Sequence, residues 1–151
     1  MALSPRMSNA LARAMLNNAV NTTLNEGLGD AIINVYTGSP PADCEAAATG
    51  TLLGTVVINT TPFGAATDLA PGARITANAI GSDIYAIAAG TAGYFRVYST
   101  DAGNESSKLS CHIQGTAGEA ADTTDMTLSR KAFVIGLSIQ ITAWTFDILE
   151  T

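Results

Sequence analysis

Residues 93–115 read GYFRVYSTDAGNESSKLSCHIQG. Gly93–Thr100 and Lys108–Gly115 carry the aromatic and β-branched residues that suit a pleated, half-buried surface. Between them stands Asp101-Ala102-Gly103-Asn104. Asp starts a turn well, and Gly103 can take the left-handed conformation of a three-residue hairpin loop. The stretch predicts an antiparallel hairpin, and with it a β fold. Side chains alternate along a strand. Phe95 and Val97 therefore share one face, the natural core face, while Tyr94, Arg96 and Tyr98 share the other. That second face meets water, a second sheet or a partner.

Period-two patterning continues on both sides. Gly115–Asp125 (GTAGEAADTTD) is polar and small, and reads as an exposed loop. Met126–Arg130 is a short strand, and Ala132–Gly136 is extended too. Ser138–Ile148 is the last strand and carries a phase break: Ile139, Ile141 and Ala143 form the first apolar set, Trp144, Phe146 and Ile148 the second. Either a bulge lies near Ala143, or both faces are buried in turn, one end of the strand meeting a neighbouring subunit. Towards the N-terminus, Ala73–Ile80 alternates as a half-buried strand, and Asp83–Ala88 is a short strand or an irregular connection. Pro62-Phe63-Gly64 begins a long loop. Thr51–Asn59 is a strand with Gly54 as a bulge or close-approach point. Ala31–Tyr36 is a strand leading into the turn and extended loop Thr37-Gly38-Ser39-Pro40-Pro41, and Asp43–Ala48 forms one short helical turn.

One helix is predicted, over residues 8–26, with Ser8 as N-cap. Leu11, Met15 and Ala19, with Ala12, Leu16, Val20 and Leu24, give it an apolar face at three- and four-residue spacing. Gly27 and Gly29 end it. Many short strands with Gly, Asn and Pro turns predict a mainly β, single-domain β-sandwich or jelly roll. Residues 1–30 form an N-terminal arm and amphipathic helix belonging to that domain, and 31–151 the β-rich part. The helix is expected to pack on its own sheet.

The chain has 151 residues, of which 47% are hydrophobic and 13% charged, enough to bury a core and too apolar for a disordered state. The net charge of −6, with seven scattered bases, argues against a nucleic-acid surface. The uncharged stretch Ala132–Phe146 is too short and polar to span a membrane, and Arg6 and Arg13 interrupt any signal-peptide core.

Catalytic and metal chemistry find little purchase. His112 is the sole histidine, and alternation places it opposite Cys111, so the two are no nucleophile–base pair. No Gly-x-Ser-x-Gly elbow and no Gly-rich phosphate loop occurs. Cys44 and Cys111 read as reduced thiols. Two oxygen-donor clusters, Asp101/Asn104/Glu105 and Glu119/Asp122/Asp125, lack EF-hand spacing and read as turn chemistry. No catalytic residue, cofactor or metal is expected. Asn-x-Ser/Thr patterns at Asn21, Asn59 and Asn104 carry no weight without a secretory signal.

Three segments in order carry a resemblance: Ile33-Asn34-Val35-Tyr36-Thr37-Gly38-Ser39-Pro40-Pro41, then Ala48-Thr49-Gly50-Thr51-Leu52-Leu53, then Gly90-Thr91-Ala92-Gly93-Tyr94-Phe95-Arg96-Val97. Together they resemble the small virion structural proteins encoded in the head and tail modules of tailed bacteriophages. The C-terminal Trp144–Ile148 is more apolar than that group leads one to expect. The resemblance implies a non-enzymatic capsid decoration, or cement, protein on the capsid exterior, assembled in the host cytoplasm. Its implied partners are the major capsid protein and itself, as a homotrimer, without nucleic acid or membrane. A tail or neck subunit is the alternative, and a carbohydrate-binding β-sandwich a further one. Candidate contact segments are Ala2–Asn9, Thr37–Glu45, Gly115–Asp125 and Trp144–Thr151. The candidate interaction residues are Tyr94, Tyr98, Trp144, Phe146 and Ile148.

Overall fold

A computed structural model describes residues 8–18, 32–58, 63–70, 72–77, 80, 84–98 and 111–149, without the side chains of Cys111, His112 and Leu149. The fold is mainly β. Helix α1 (Asn9–Leu16) is followed by β1 (Ile32–Thr37), β2 (Leu52–Val57), β3 (Thr67–Asp68), β4 (Gly72–Thr76), β5 (Gly90–Tyr98), β6 (Cys111–Gly118), β7 (Met126–Leu128), β8 (Ala132–Phe133) and β9 (Ile141–Leu149). They form one open mixed sheet in the order β2-β1-β5-β6-β7-β9-β4-β3, with β8 on the start of β5. All pairs are antiparallel except β6–β7.

The two halves of the sheet face each other as the layers of a sandwich do. Phe95 of β5 meets Trp144 of β9 edge-on, with ring centroids 5.4 Å apart. Phe63 and Phe146 complete this aromatic cluster around Trp144. Such tilted and edge-to-face pairs add to the burial of their large apolar area. Ile33, Val35, Leu53, Val97, Ile75, Met126 and Ile139 fill the rest of the core.

The hairpin expected around residues 93–115 is β5 paired with β6, Phe95 opposite Gly115 and Val97 opposite Ile113. Its turn lies outside the described residues. The phase break in the last strand is a bulge. Opposite β7, Thr127 faces Ala143 while Leu128 faces Ile141, so Thr142 is the extra residue. Thr142 and Ala143 are both exposed, and Trp144 resumes the inward face. Gly54 is the expected close-approach point: a Cβ there would stand 2.5 Å from the Ile139 side chain.

The helix starts as predicted, Ser8 Oγ accepting the Leu11 N–H at 3.3 Å. Its predicted residues 19–26 lie outside the described part. Ala12 and Leu16 are buried, whereas Leu11 and Met15 are exposed. The apolar face is therefore narrower than the spacing suggests. The helix packs on β4, β3 and β9, its own sheet. Asn9 Oδ1 accepts the Gly72 N–H and Asn17 Oδ1 the Ala66 N–H, which ties the helix to main chain at that edge. No helix among the described residues is long and apolar enough to cross a membrane.

Two loop expectations need correction. Gly115–Gly118 belongs to β6, because Ala117 and Gly118 pair with Met126 and Thr127. Only the segment after it is a loop. Residues 42–46 form bends and no helical turn. The Asp43 carboxylate takes the Ala46 N–H at 2.7 Å, the local side-chain capture by which Asp competes with helix.

Candidate interaction surface

Both faces of β5 are covered. Tyr94, Phe95, Arg96, Val97 and Tyr98 are all buried. Phe95 and Val97 lie in the core as expected. The other face joins Tyr94, Arg96 and Tyr98 to Asn34 and Tyr36 of β1, Thr55 of β2 and Gln114 of β6, which stand opposite one another in register. Tyr36 and Tyr94 stack with centroids 5.0 Å apart. Thr55 donates to Asn34, and Asn34 donates to the Tyr36 phenol. Burial pushes the Tyr36 phenol up to about 12, and a hydrogen bond with Tyr98 adds to the rise.

The cover is the chain's own loop, residues 38–51. Tyr94 Oη accepts the Thr49 N–H at 2.9 Å and donates to the Thr49 carbonyl. Arg96 Nη2 donates to the Asp43 carbonyl and Gln114 Nε2 to the Pro41 carbonyl, each at 2.8 Å. Gln114 Oε1 in turn accepts from Arg96 Nε and Nη2. The feet of the loop meet where Thr37 N–H donates to Thr51 O and Thr51 N–H to Thr37 Oγ1.

The five residues put forward from sequence as contacts are thus largely internal. Tyr94 is not exposed, because the loop lies over it, and Tyr98 is buried as well. Trp144 is 1% exposed and sits among aromatic rings, its indole N–H meeting no acceptor among the described residues. Phe146 and Ile148 are half-buried and pack against the same core. The second apolar set of the last strand serves this chain's own sandwich because the bulge turns it inward.

The acidic loop is also internally committed. Asp125 accepts from Thr116 N–H and Oγ1, and Asp122 from the Glu119 N–H and Lys131 Nζ. The Lys131 ammonium, and then the Glu119 amide, hold the Asp122 carboxyl below its ordinary range. No group of three or more metal-ligating side chains occurs among the described residues. The cluster Asp101/Asn104/Glu105 lies outside them, as do the side chains of Cys111 and His112.

A different surface carries exposed apolar side chains. Tyr85, Ile87, Val134 and Ile135 are 58–73% exposed. They stand on two neighbouring segments. Ala86 N–H donates to Leu137 O, Gly136 N–H to Ala86 O, and Ile139 N–H to Ile84 O. Ile87 N–H donates to Leu53 O, which fixes the pair to β2. Ala86 points inward while Tyr85 and Ile87 point out. Val134–Leu137 is a turn closed by the Leu137 N–H on Val134 O, with Gly136 at φ +85° as its third residue. That is the type II position that requires glycine. Ile135 stands at its tip. Sequence reasoning passed over these four because residues 84–88 are apolar on both faces and carry no phase. The available signal was Val134-Ile135 directly before a turn glycine, where polar residues are usual.

Comparison with protein-family models, with curated proteins and with solved structures returned no match.

Proposed function

We propose that this chain is a structural protein of a tailed-phage virion, and within it a capsid decoration, or cement, protein that stabilises the head shell by binding between major capsid subunits. The observation that carries the reading is the exposed apolar group of Tyr85, Ile87, Val134 and Ile135 on two hydrogen-bonded neighbouring segments. Contiguous exposed apolar side chains on fixed backbone mark surfaces that associate with other proteins. The three resembling segments supply the virion context. Two of them, residues 33–41 and 48–53, take in most of β1, the start of β2 and the loop ends, and the third is the body of β5. Association with further copies of itself, as a trimer on the capsid exterior, belongs to the same proposal. A carbohydrate platform built from Tyr94, Tyr98 and Trp144 is disfavoured, because those rings are buried.

The test is the number of copies per purified particle, by quantitative mass spectrometry against the major capsid protein. A ratio near one to one, or one trimer per local three-fold position, is expected. A handful of copies per particle would place the chain in the neck or tail. Absence from particles would overturn the virion reading.

A further inference from the structure

The loop over the β5 face has an unusual division of labour. None of residues 38–51 is buried, yet beneath them Tyr94 and Arg96 are 0% and 2% exposed. The cover contributes no side chain to the core. What holds it from the sheet is its main chain: the carbonyls of Pro41, Asp43 and Thr49 and the Thr49 N–H. The groups that hold it are the phenol of Tyr94, the guanidinium of Arg96 and the amide of Gln114. Arg96 and Gln114 also fix each other. The sheet therefore presents preplaced donors and a stacked tyrosine pair to an extended backbone. Tyr and Arg are the residue types that dominate tight protein contacts.

The loop's apolar residues Pro40, Pro41, Cys44 and Ala46 are only half-buried, and a segment held mainly by hydrogen bonds opens at lower cost than core strands. The two feet of this loop are bonded to each other at Thr37 and Thr51. It can lift as a unit while β1 and β2 stay paired.

We infer that the Tyr36–Tyr94–Arg96–Gln114 face is a main-chain-reading platform, and that residues 38–51 are a displaceable strap whose place a second copy's strap can take. The occupant is a second copy because its strap presents the same carbonyls and amide at the same spacing as the resident one. Exchange of an identical element between protomers adds no new interface chemistry. The inference stands apart from the virion reading and needs no capsid.

The experiment uses the full chain. Thr49→Pro removes the N–H that Tyr94 accepts and leaves the platform side chains intact. A fluorescent peptide of residues 38–51 is titrated against the wild type and this variant. The resident strap competes at an effective concentration of about 1 mM, so the wild type should bind the peptide at least about tenfold more weakly than the variant, and Gln114→Ala added to the variant should weaken binding again. A variant folded by circular dichroism that binds no peptide at about 1 mM, and stays monomeric, would overturn the inference. Hydrogen exchange on the wild type gives a reading that no variant can spoil. The Thr49 amide should exchange faster than those of Phe95 and Val97. Exchange of all three only through global unfolding would overturn it equally.

Discussion

The phenol of Tyr94 grips the peptide of Thr49 from both sides, accepting its N–H and donating to its carbonyl across 45 residues of sequence. One side chain thereby satisfies two main-chain groups of a loop none of whose residues is fully buried. Tyr94→Phe keeps the ring stacked on Tyr36 and removes both bonds. The expected loss is about 1–3 kcal/mol, the range for stranding partly buried polar groups. Urea midpoints measure it. Limited proteolysis should find residues 38–51 cut faster in the variant, with β5 still protected.

Glycine at 93 is required by close approach. A Cβ there would stand 1.9 Å from the Gly38 carbonyl oxygen, a main-chain atom that cannot step aside alone. Gly38 itself has φ +86° with open space around it. Gly93→Ala should therefore cost roughly 3 kcal/mol, the upper end for overpacking. Gly38→Ala should cost about 1 kcal/mol, the ordinary penalty of a left-handed alanine. Equal urea midpoints for the two variants would mean that the loop foot is not seated on the sheet.

Trp144 is the sole tryptophan, so intrinsic fluorescence reports its site. Among Phe63, Phe95 and Phe146 it should emit at short wavelength and resist quenching by acrylamide. Its indole N–H has no acceptor among the described residues. Trp144→Phe removes a polar group with no partner among the described residues, and keeps an aromatic ring in the cluster. It should cost much less than Trp144→Ala, for which about 3–5 kcal/mol is expected. Comparable losses for the two would show that the N–H does have a partner.

These residues also show what the sequence discloses and what it withholds. The bulge at Thr142 was legible, because a strand with one buried face must keep phase and the shift from Ile141 to Trp144 breaks it. The pairing of β5 with β6 was legible from alternation, while the turn read between them lies outside the described residues. The destination of Tyr94 was not, since its cover binds through main-chain groups and leaves no mark in the side-chain pattern. Trp144, Phe146 and Ile148 stand as candidate contacts in the sequence, with a bulge as the other reading of the same phase break. An apolar set looks the same in sequence whether it meets another chain or its own second layer. The patch at Tyr85 and Ile135 was missed for the converse reason: apolar residues on both faces of a short segment conceal which face is outward.

Acid should loosen the loop between β6 and β8. Asp122 is held below its ordinary range by Lys131 and the Glu119 amide, and Asp147 by Arg74. A carboxyl lowered in the folded state lends stability that is complete above its unfolded pKa, about 4, and is lost as pH falls through the lowered value. Asp122→Asn should therefore lower the urea midpoint at pH 7 by a small amount, since both partners are partly exposed to solvent. The gap from wild type should close as the pH drops below about 4. A gap that persists at pH 2 would show that the charge of Asp122 is not what matters.

Ile135 gives the sharpest separation of stability from association. It stands 73% exposed at the tip of the Val134–Leu137 turn, so its side chain contributes little to the folded chain. Replacing it with Asp places a charge in water at no folding cost beyond a few tenths of a kcal/mol. On a docked surface the same charge would be buried without a counter-ion, which costs several kcal/mol. Ile135→Asp should leave the melting temperature nearly unchanged and reduce recovery of the protein on purified particles at least about tenfold, the equivalent of about 1.4 kcal/mol. Ser129, exposed just after β7, is the matched control, and Ser129→Asp should affect neither readout. Full incorporation of Ile135→Asp would remove this patch as the docking face, and with it the observation on which the proposed function rests.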